Sequence, residues 1–166
     1  MSERIDYNKL NNDPVYKDFE SKERAGTDGI TVNIDRLIEL TERHPVEIID
    51  LEHFFEQLGF PCWTDAEGNE VTPHEIIECI LNEGYDAALN AHPHFYKHII
   101  GIRDADRRYP IHVHDEHIIN GMHRLAQIYI DQATGKSTQS FLTAKKLSHI
   151  PEEALLEDQS QKPKPN

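Results

Sequence analysis

The chain is short of cysteine, of basic residues and of long apolar runs. Its two cysteines, Cys62 and Cys79, form neither a CxxC pair nor a regular framework. We therefore expect reduced thiols in the cytoplasm rather than a disulfide scaffold. No stretch approaches the ~18 apolar residues that a membrane span needs, and the first residues lack the apolar core of a secretory signal. The sequence thus predicts no membrane partner.

Basic residues are few beside an excess of acidic ones. Lys and Arg total 17 and Asp and Glu total 30, which gives a formal net charge of −13. DNA-binding proteins use cationic surface to displace counterions from phosphates, so this balance argues against DNA as a partner. The same negative charge disfavours binding to anionic membranes.

The polar composition suggests a folded centre with polar ends. Hydrophobic residues make up 37% of the 166 residues, and charged residues make up 28%. This length is enough for one domain with a core. We assign residues 1–29 to a polar N-terminal arm, residues 30–150 to the folded domain and residues 151–166 to a flexible C-terminal tail.

Short strand patterns alternate with helical patterns between these ends. Helical patterns cover 33–44, 51–58, 72–84, 85–100 and 121–135, and strand patterns cover 46–51, 111–114, 117–119 and 140–144. Residues 63–71 have the pattern of a hairpin or of an exposed loop. The apolar run at 46–51 predicts a buried strand. Pro93 is expected to interrupt the helical run that contains it, and Gly101 is expected to close that run. The pattern predicts an α/β domain of the α+β type, with a mixed sheet of short strands flanked by helices.

One helix start carries a capping signature and a candidate catalytic carboxylate. Thr72 suits the N-cap, Pro73 suits the first helical position and Glu75 stands three residues after the cap. These positions complete a capping box, which explains Glu75 without catalysis. A general base is the alternative role of this side chain.

A second helix start has the features of an anion site. The strand pattern at 117–119 leads through Asn120 and Gly121 directly into a helix. The first N–H groups of a helix lack internal partners and lie at its positive end. Gly121 would let a ligand approach the backbone. His123 and Arg124 lie off the apolar stripe that begins at Met122, so both could reach a bound phosphate.

The chain is rich in histidine, with 11 residues. His112 and His114 alternate with apolar residues on a strand, which places both on its less buried face, where they could line a phosphate pocket. His94 and His98 are spaced i and i+4, so they could share a helix face and bind zinc. Partly exposed surface histidines are the other interpretation of both pairs.

The string HIINGMHRLAQIYI resembles the Gly–x–His–Arg helix start of the ParB/sulfiredoxin superfamily. It is most similar to the DGHHR and DGMHR types, which include free-serine-kinase-like proteins. Pro73-His74-Glu75 matches a Pro-His-Glu of those proteins, and the resemblance covers about residues 45–145. It implies that Asn120, Gly121, Met122, His123 and Arg124 bind ATP, ADP or CTP with Mg²⁺. It further implies that Glu75 and His123 are catalytic.

Two positions depart from this family pattern. Asn120 stands where an Asp is usual, and an amide is neither a base nor a good magnesium ligand. Met122 stands where sulfiredoxins carry their reactive cysteine, which removes thiolate chemistry. The first expectation is a nucleotide-dependent phosphotransferase or nucleotide hydrolase that acts on a small molecule. The alternatives are a non-catalytic nucleotide-binding regulatory module, a ParB-like nuclease or DNA-binding domain, and a histidine-ligated metal-dependent hydrolase.

Overall fold

The computed structural model describes residues 22–25 and 30–156. The helices are α1 (Ile34–Leu40), α2 (Pro73–Glu83), α3 (Tyr85–Ala91), α4 (Tyr96–Arg103) and α5 (Met122–Ala133), with 3₁₀ segments at Glu52–Gly59, Pro93–Phe95 and Glu152–Ala154. The strands are β1 (Lys22–Ala25), β2 (Ile30–Asn33), β3 (Glu47–Asp50), β4 (Trp63–Thr64), β5 (Glu70–Val71), β6 (Ile111–His114), β7 (His117–Asn120), β8 (Phe141–Leu147) and β9 (Leu155–Leu156). The predicted α+β class is confirmed.

The central sheet has four strands in the order β3-β8-β6-β7. Strand β8 runs antiparallel to β3 and parallel to β6, and β6 forms an antiparallel hairpin with β7. This arrangement is the predicted mixed sheet of short strands. A second, antiparallel sheet joins β1, β2 and β9. Since β1 and β9 lie outside residues 30–150, sheet structure extends into both of the segments that flank the predicted domain.

Two apolar cores lie on opposite faces of the central sheet. The larger core packs α2, α4 and α5 against residues that include Ile111 and Leu142. The smaller core packs α1 and β2 against Ile119 and Leu147. Because side chains alternate along a strand, Leu142 and Leu147 point to opposite faces, and the sheet is covered on both sides. Within the described residues, no helix is long and apolar enough to cross a membrane.

Local signals at three helix boundaries are confirmed. The Asn33 side chain caps α1 by accepting a hydrogen bond, 3.1 Å long, from a backbone N–H three residues later. Thr72 and Glu75 form the predicted capping box of α2, with Pro73 in the first turn. Strands β4 and β5 form a hairpin, which is one of the two structures that the sequence allowed for this segment, and α3 ends before Pro93. Each of these features depends on residues that are neighbours in the chain, which is why the sequence reveals them.

Two elements differ from their sequence patterns. Strand β3 lies at the edge of the central sheet, where β8 is its one partner among the described residues. Ile48 is 70% exposed, so the prediction of a buried strand is wrong. Helix α4 continues through Gly101 to Arg103 instead of ending at the glycine. Burial of Ile99 and Ile102 in the larger core outweighs the ~1 kcal/mol that a glycine costs inside a helix.

Candidate anion site at the start of helix α5

Gly121 joins β7 to α5, as the sequence predicts. Its φ of 119° is a backbone conformation that residues with a Cβ rarely adopt. A Cβ at this position would lie 2.3 Å from Cγ2 and 2.8 Å from Cβ of Ile111. The space beside Gly121 is therefore filled by Ile111 rather than left open for a ligand, and close packing with β6 explains the glycine.

Arg124 lies in the first turn of α5 and is buried, with 5% of its surface exposed. Its Nη1 donates to the carbonyl oxygens of Tyr109 and Pro110 at 2.7 and 2.8 Å. Its Nη2 donates to Asn120 Oδ1 at 3.4 Å. The guanidinium is thus held between the segment that precedes β6 and the end of β7.

A chain of hydrogen bonds runs from Arg124 through β7 and β6 to α1. Asn120 accepts from Arg124 through its Oδ1, and its Nδ2 lies 3.1 Å from His112 Nδ1. His112 Nε2 lies 3.0 Å from Thr41 Oγ1, and that hydroxyl donates to the Leu37 carbonyl at 2.7 Å. Because an amide nitrogen only donates, His112 Nδ1 must accept and Nε2 must carry the proton. Each bond in the chain therefore has a fixed direction.

His112 is buried, with only 2% of its surface exposed. The alternation with Ile111 and Val113 predicts the less buried face of the strand, and this prediction is wrong because α1 covers that face. Burial, with smaller contributions from the charges of Arg124 and Lys145, lowers the pKa of His112 to about 3. The imidazole is therefore neutral near pH 7.

Asn120→Asp is expected to raise the pKa of His112. A carboxylate cannot donate to His112 Nδ1, but it accepts a hydrogen bond from a protonated imidazole and stabilises the imidazolium. Long-range ¹H–¹⁵N NMR should show His112 as the neutral Nε2–H form at every pH at which the wild type stays folded, and titrating at higher pH in the variant. A wild-type His112 that carries its proton on Nδ1, or that titrates near pH ~6.5, would contradict the hydrogen-bond chain.

Lys145 is a second buried cation beside His112, with 8% of its surface exposed. The parallel register of β6 and β8 places it opposite His112. Its Nζ donates to the carbonyl oxygens of Thr41 and Glu42 at 2.7 and 3.4 Å, at the C-terminal end of α1, and burial lowers its pKa. Within residues 22–25 and 30–156, neither Lys145 nor Arg124 forms an ion pair with a carboxylate.

His123 contacts α4 and the β4–β5 hairpin. Its Nε2 lies 3.1 Å from His98 Nδ1, and His98 Nε2 lies 2.7 Å from the Thr64 carbonyl oxygen. Both imidazoles stack on Trp63 with 4.4 Å between ring centroids. Because a carbonyl only accepts, His98 Nε2 carries a proton and His98 Nδ1 accepts from His123. Burial lowers the pKa of His98 to about 4 and that of His123 well below its usual value, so this pair is neutral near pH 7.

Glu75 is occupied at the start of α2. Its Oε2 accepts a hydrogen bond from the Thr72 N–H at 2.7 Å. The ring of the adjacent His74 lies edge-on to Tyr129, with 5.7 Å between centroids. Tyr129 lies about two helical turns, or ~10 Å, along α5 from Met122. The capping box accounts for Glu75, and no contact among the described residues connects its carboxylate to the start of α5.

The histidines of the two pairs that the sequence suggests have separate surroundings in the structure. His94 lies in the Pro93–Phe95 3₁₀ segment while His98 lies in α4, so they do not share one helix face. His112 belongs to the hydrogen-bond chain, and His114 Nδ1 lies 3.1 Å from the Leu147 carbonyl oxygen. In the part of the chain that the structure describes, no group of three or more His, Cys, Asp or Glu side chains could hold a metal ion.

Comparisons of the chain with models of protein families, with curated protein sequences and with solved structures found no match. A function for the start of α5 is therefore inferred from the contacts of its residues. Those contacts join Asn120 and Arg124 of the predicted set to His112, and to Thr41 and Lys145, which the sequence did not single out. The side chain of Met122 belongs to the larger core instead.

Proposed function

We propose that this chain is a nucleotide-binding, non-catalytic regulatory module of the ParB/sulfiredoxin-like type. The observation that carries the proposal is the burial of Arg124 and Lys145 without a carboxylate ion pair in the described residues. A buried cation is costly unless negative charge compensates it. Glu42 and Asp106 attract Lys145 and Arg124 electrostatically, but neither carboxylate forms an ion pair with these cations. The incomplete compensation favours an external anion such as phosphate.

The surroundings of the two cations suit a phosphate group. Helix α5 begins without a side-chain cap, so the N–H groups of its first turn and its macrodipole favour an anion. Carbonyl oxygens hold Arg124 in place, while Asn120 and Thr41 supply neutral polar groups. Since His123 is neutral, Arg124 and Lys145 supply the positive charge.

Binding is better supported than phosphoryl transfer. Transfer needs a base near the acceptor hydroxyl, and the Glu75 carboxylate is occupied by the capping box. Asn120 supplies an amide where a carboxylate would help to hold Mg²⁺, so the metal would enter with the nucleotide. The Cys62 and Cys79 thiols are not joined in a disulfide, which fits a cytoplasmic protein.

Lys145→Met is expected to weaken nucleotide binding about tenfold or more. The substitution keeps the length of the side chain but removes the ammonium, and hydrogen bonds to charged groups contribute about 1.5–3 kcal/mol. Isothermal titration with ATP, ADP and CTP, each with Mg²⁺ and with inorganic pyrophosphate as a base-free probe, measures the loss. Circular dichroism shows whether the variant is folded.

Lys146→Met is the matched control for this experiment. Lys146 is the next residue in the chain, is 55% exposed and pairs with Glu47 at 3.1 Å, so its replacement should leave nucleotide affinity unchanged. The proposal fails if no nucleotide binds the wild type, or if both variants lose the same affinity. Release of ADP or inorganic phosphate by the wild type would instead favour the phosphotransferase or hydrolase. Retention of DNA at about 0.15 M salt would favour the nuclease or DNA-binding alternative.

A further inference from the structure

A pocket of about 440 Å³ lies beside the β6–β7 turn, at the opposite end of β7 from Gly121. Its floor is apolar and includes Ile49, Phe54 and Val113, which are 6%, 3% and 4% exposed. Ile48, at 70% exposure, lies at its edge. The length of β7, about 10 Å, separates this pocket from the start of α5. A concave site of this volume with an apolar floor is typical of small-molecule binding.

The rim of the pocket is acidic. Its ionisable side chains are Asp50, His53, Asp115, Glu116 and Lys146. Lys146 is paired with Glu47 at 3.1 Å, so its charge is already compensated. One oxygen of Asp50 accepts the Glu52 N–H at 3.0 Å. The three rim carboxylates leave a negative field over an apolar floor, which favours a ligand with a positive charge and an apolar body.

The β6–β7 turn holds two of these carboxylates at the rim. Asp115 and Glu116 have φ values of 49° and 62°, which is the conformation of a two-residue turn that Asn-Gly adopts at lower cost. The buried Gln57 fixes the turn, because its Nε2 donates to the Glu116 carbonyl at 2.7 Å and its Oε1 accepts from the Ile118 N–H at 3.0 Å. The carboxylates therefore stand on a fixed backbone beside the pocket.

We infer that this pocket binds a small molecule that combines an apolar body with a primary amine. The apolar body lies on Ile49, Phe54 and Val113 and covers part of Ile48. The ammonium lies at the rim, where the carboxylates of Asp50, Asp115 and Glu116 accept its hydrogen bonds. This site is independent of the proposed nucleotide site, since it shares no residue with it.

Tryptamine is a suitable probe, because tryptophol and indole-3-propionate carry the same ring with a neutral and an anionic end. We expect tryptamine to bind the wild-type chain, without nucleotide, with a dissociation constant of about 1 mM or tighter. Tryptophol should bind several-fold more weakly, and indole-3-propionate should bind the least. Isothermal titration measures the affinities, and saturation-transfer NMR detects the weakest ligand.

Asp115→Asn combined with Glu116→Gly tests the two turn carboxylates of the rim without destabilising the fold. The change gives the turn its preferred residues, so the melting temperature should rise by about 2–5 °C. It also removes two rim carboxylates, so tryptamine affinity should fall at least about fivefold. Asp50→Asn is a second test, because the amide oxygen still accepts the Glu52 N–H while the charge is lost, and tryptamine affinity should again fall.

Glu152→Gln combined with Glu153→Gln is the matched control. It removes two exposed carboxylates elsewhere in the chain, so it should leave tryptamine affinity unchanged. Equal binding of the three indole ligands would overturn the inference. Tryptamine affinity that persists in both the turn variant and Asp50→Asn would also overturn it.

Discussion

Gly121→Ala is expected to destabilise the folded chain by about 3–5 kcal/mol, about a fifth or more of the stability of a typical domain. The new Cβ would lie 2.3 Å from Cγ2 of Ile111. That atom is bonded to the Cβ of Ile111, which is itself only 2.8 Å from the added Cβ, so the overlap cannot be relieved by rotation of a distant side-chain end. The φ of 119° adds backbone strain for any residue with a Cβ. Urea denaturation followed by circular dichroism measures the loss.

Gly68→Ala is the matched control for Gly121→Ala. Gly68 also has a positive φ, 86°, but nothing lies within 4 Å of the Cβ that would be added there. Its replacement should cost only the strain, about 1 kcal/mol. In a chain that also carries Ile111→Ala, Gly121→Ala should lower the free energy of unfolding by less, because Cγ2 is then absent. Equal losses in the two glycine variants would show that Ile111 does not decide the residue at this turn.

The free energy of unfolding is expected to fall by about 5 kcal/mol or more between pH ~7.5 and pH ~4.5, because buried neutral histidines favour the folded chain less as the pH falls. His98, His112 and His123 are buried, and their pKa values in the folded state lie below the ordinary value of 6.5. The unfolded chain therefore binds more protons than the folded chain once the pH falls below that value. Each of the three histidines then removes up to about 1.4 kcal/mol of stability per pH unit.

The sign of this effect distinguishes the buried histidines from exposed ones. Stability should be highest above pH ~6.5 and should fall continuously toward the folded-state pKa values of about 4 for His98 and about 3 for His112. His98→Gln keeps a donor and an acceptor but cannot be protonated, so the dependence of stability on pH should become about one third shallower. His149→Gln, at an exposed position, should leave it unchanged. A stability that is flat between pH ~7 and pH ~5 would contradict the burial of these side chains.

The candidate site was predictable only in part. The strand–Gly121–helix junction and the positions of Asn120 and Arg124 follow from a local pattern, and the structure places them together. Lys145 is separated from Arg124 by most of α5 and β8, and it approaches His112 only through the pairing of β6 with β8. A local sequence pattern does not show which strands pair, so the sequence did not identify Lys145 as the second cation.

The position of Glu75 was also predictable only in part. The sequence correctly predicts its place in the capping box, since Thr72 and Glu75 are three residues apart. Whether its carboxylate also meets the start of α5 depends on how α2 packs against α5. In the structure, the residue beside it contacts Tyr129, about two turns away from Met122.

The sequence by itself determined the α+β class, the helix caps and the Gly121 junction between β7 and α5. These features depend on residues close together in the chain, where backbone preferences and capping hydrogen bonds decide the outcome. Only the tertiary structure decided that His112 and Lys145 are buried. Their strand face looks polar in the sequence, and it is covered because α1 and the small sheet of β1, β2 and β9 pack over it. Burial of that face depends on contacts between residues far apart in the chain, which no local pattern specifies.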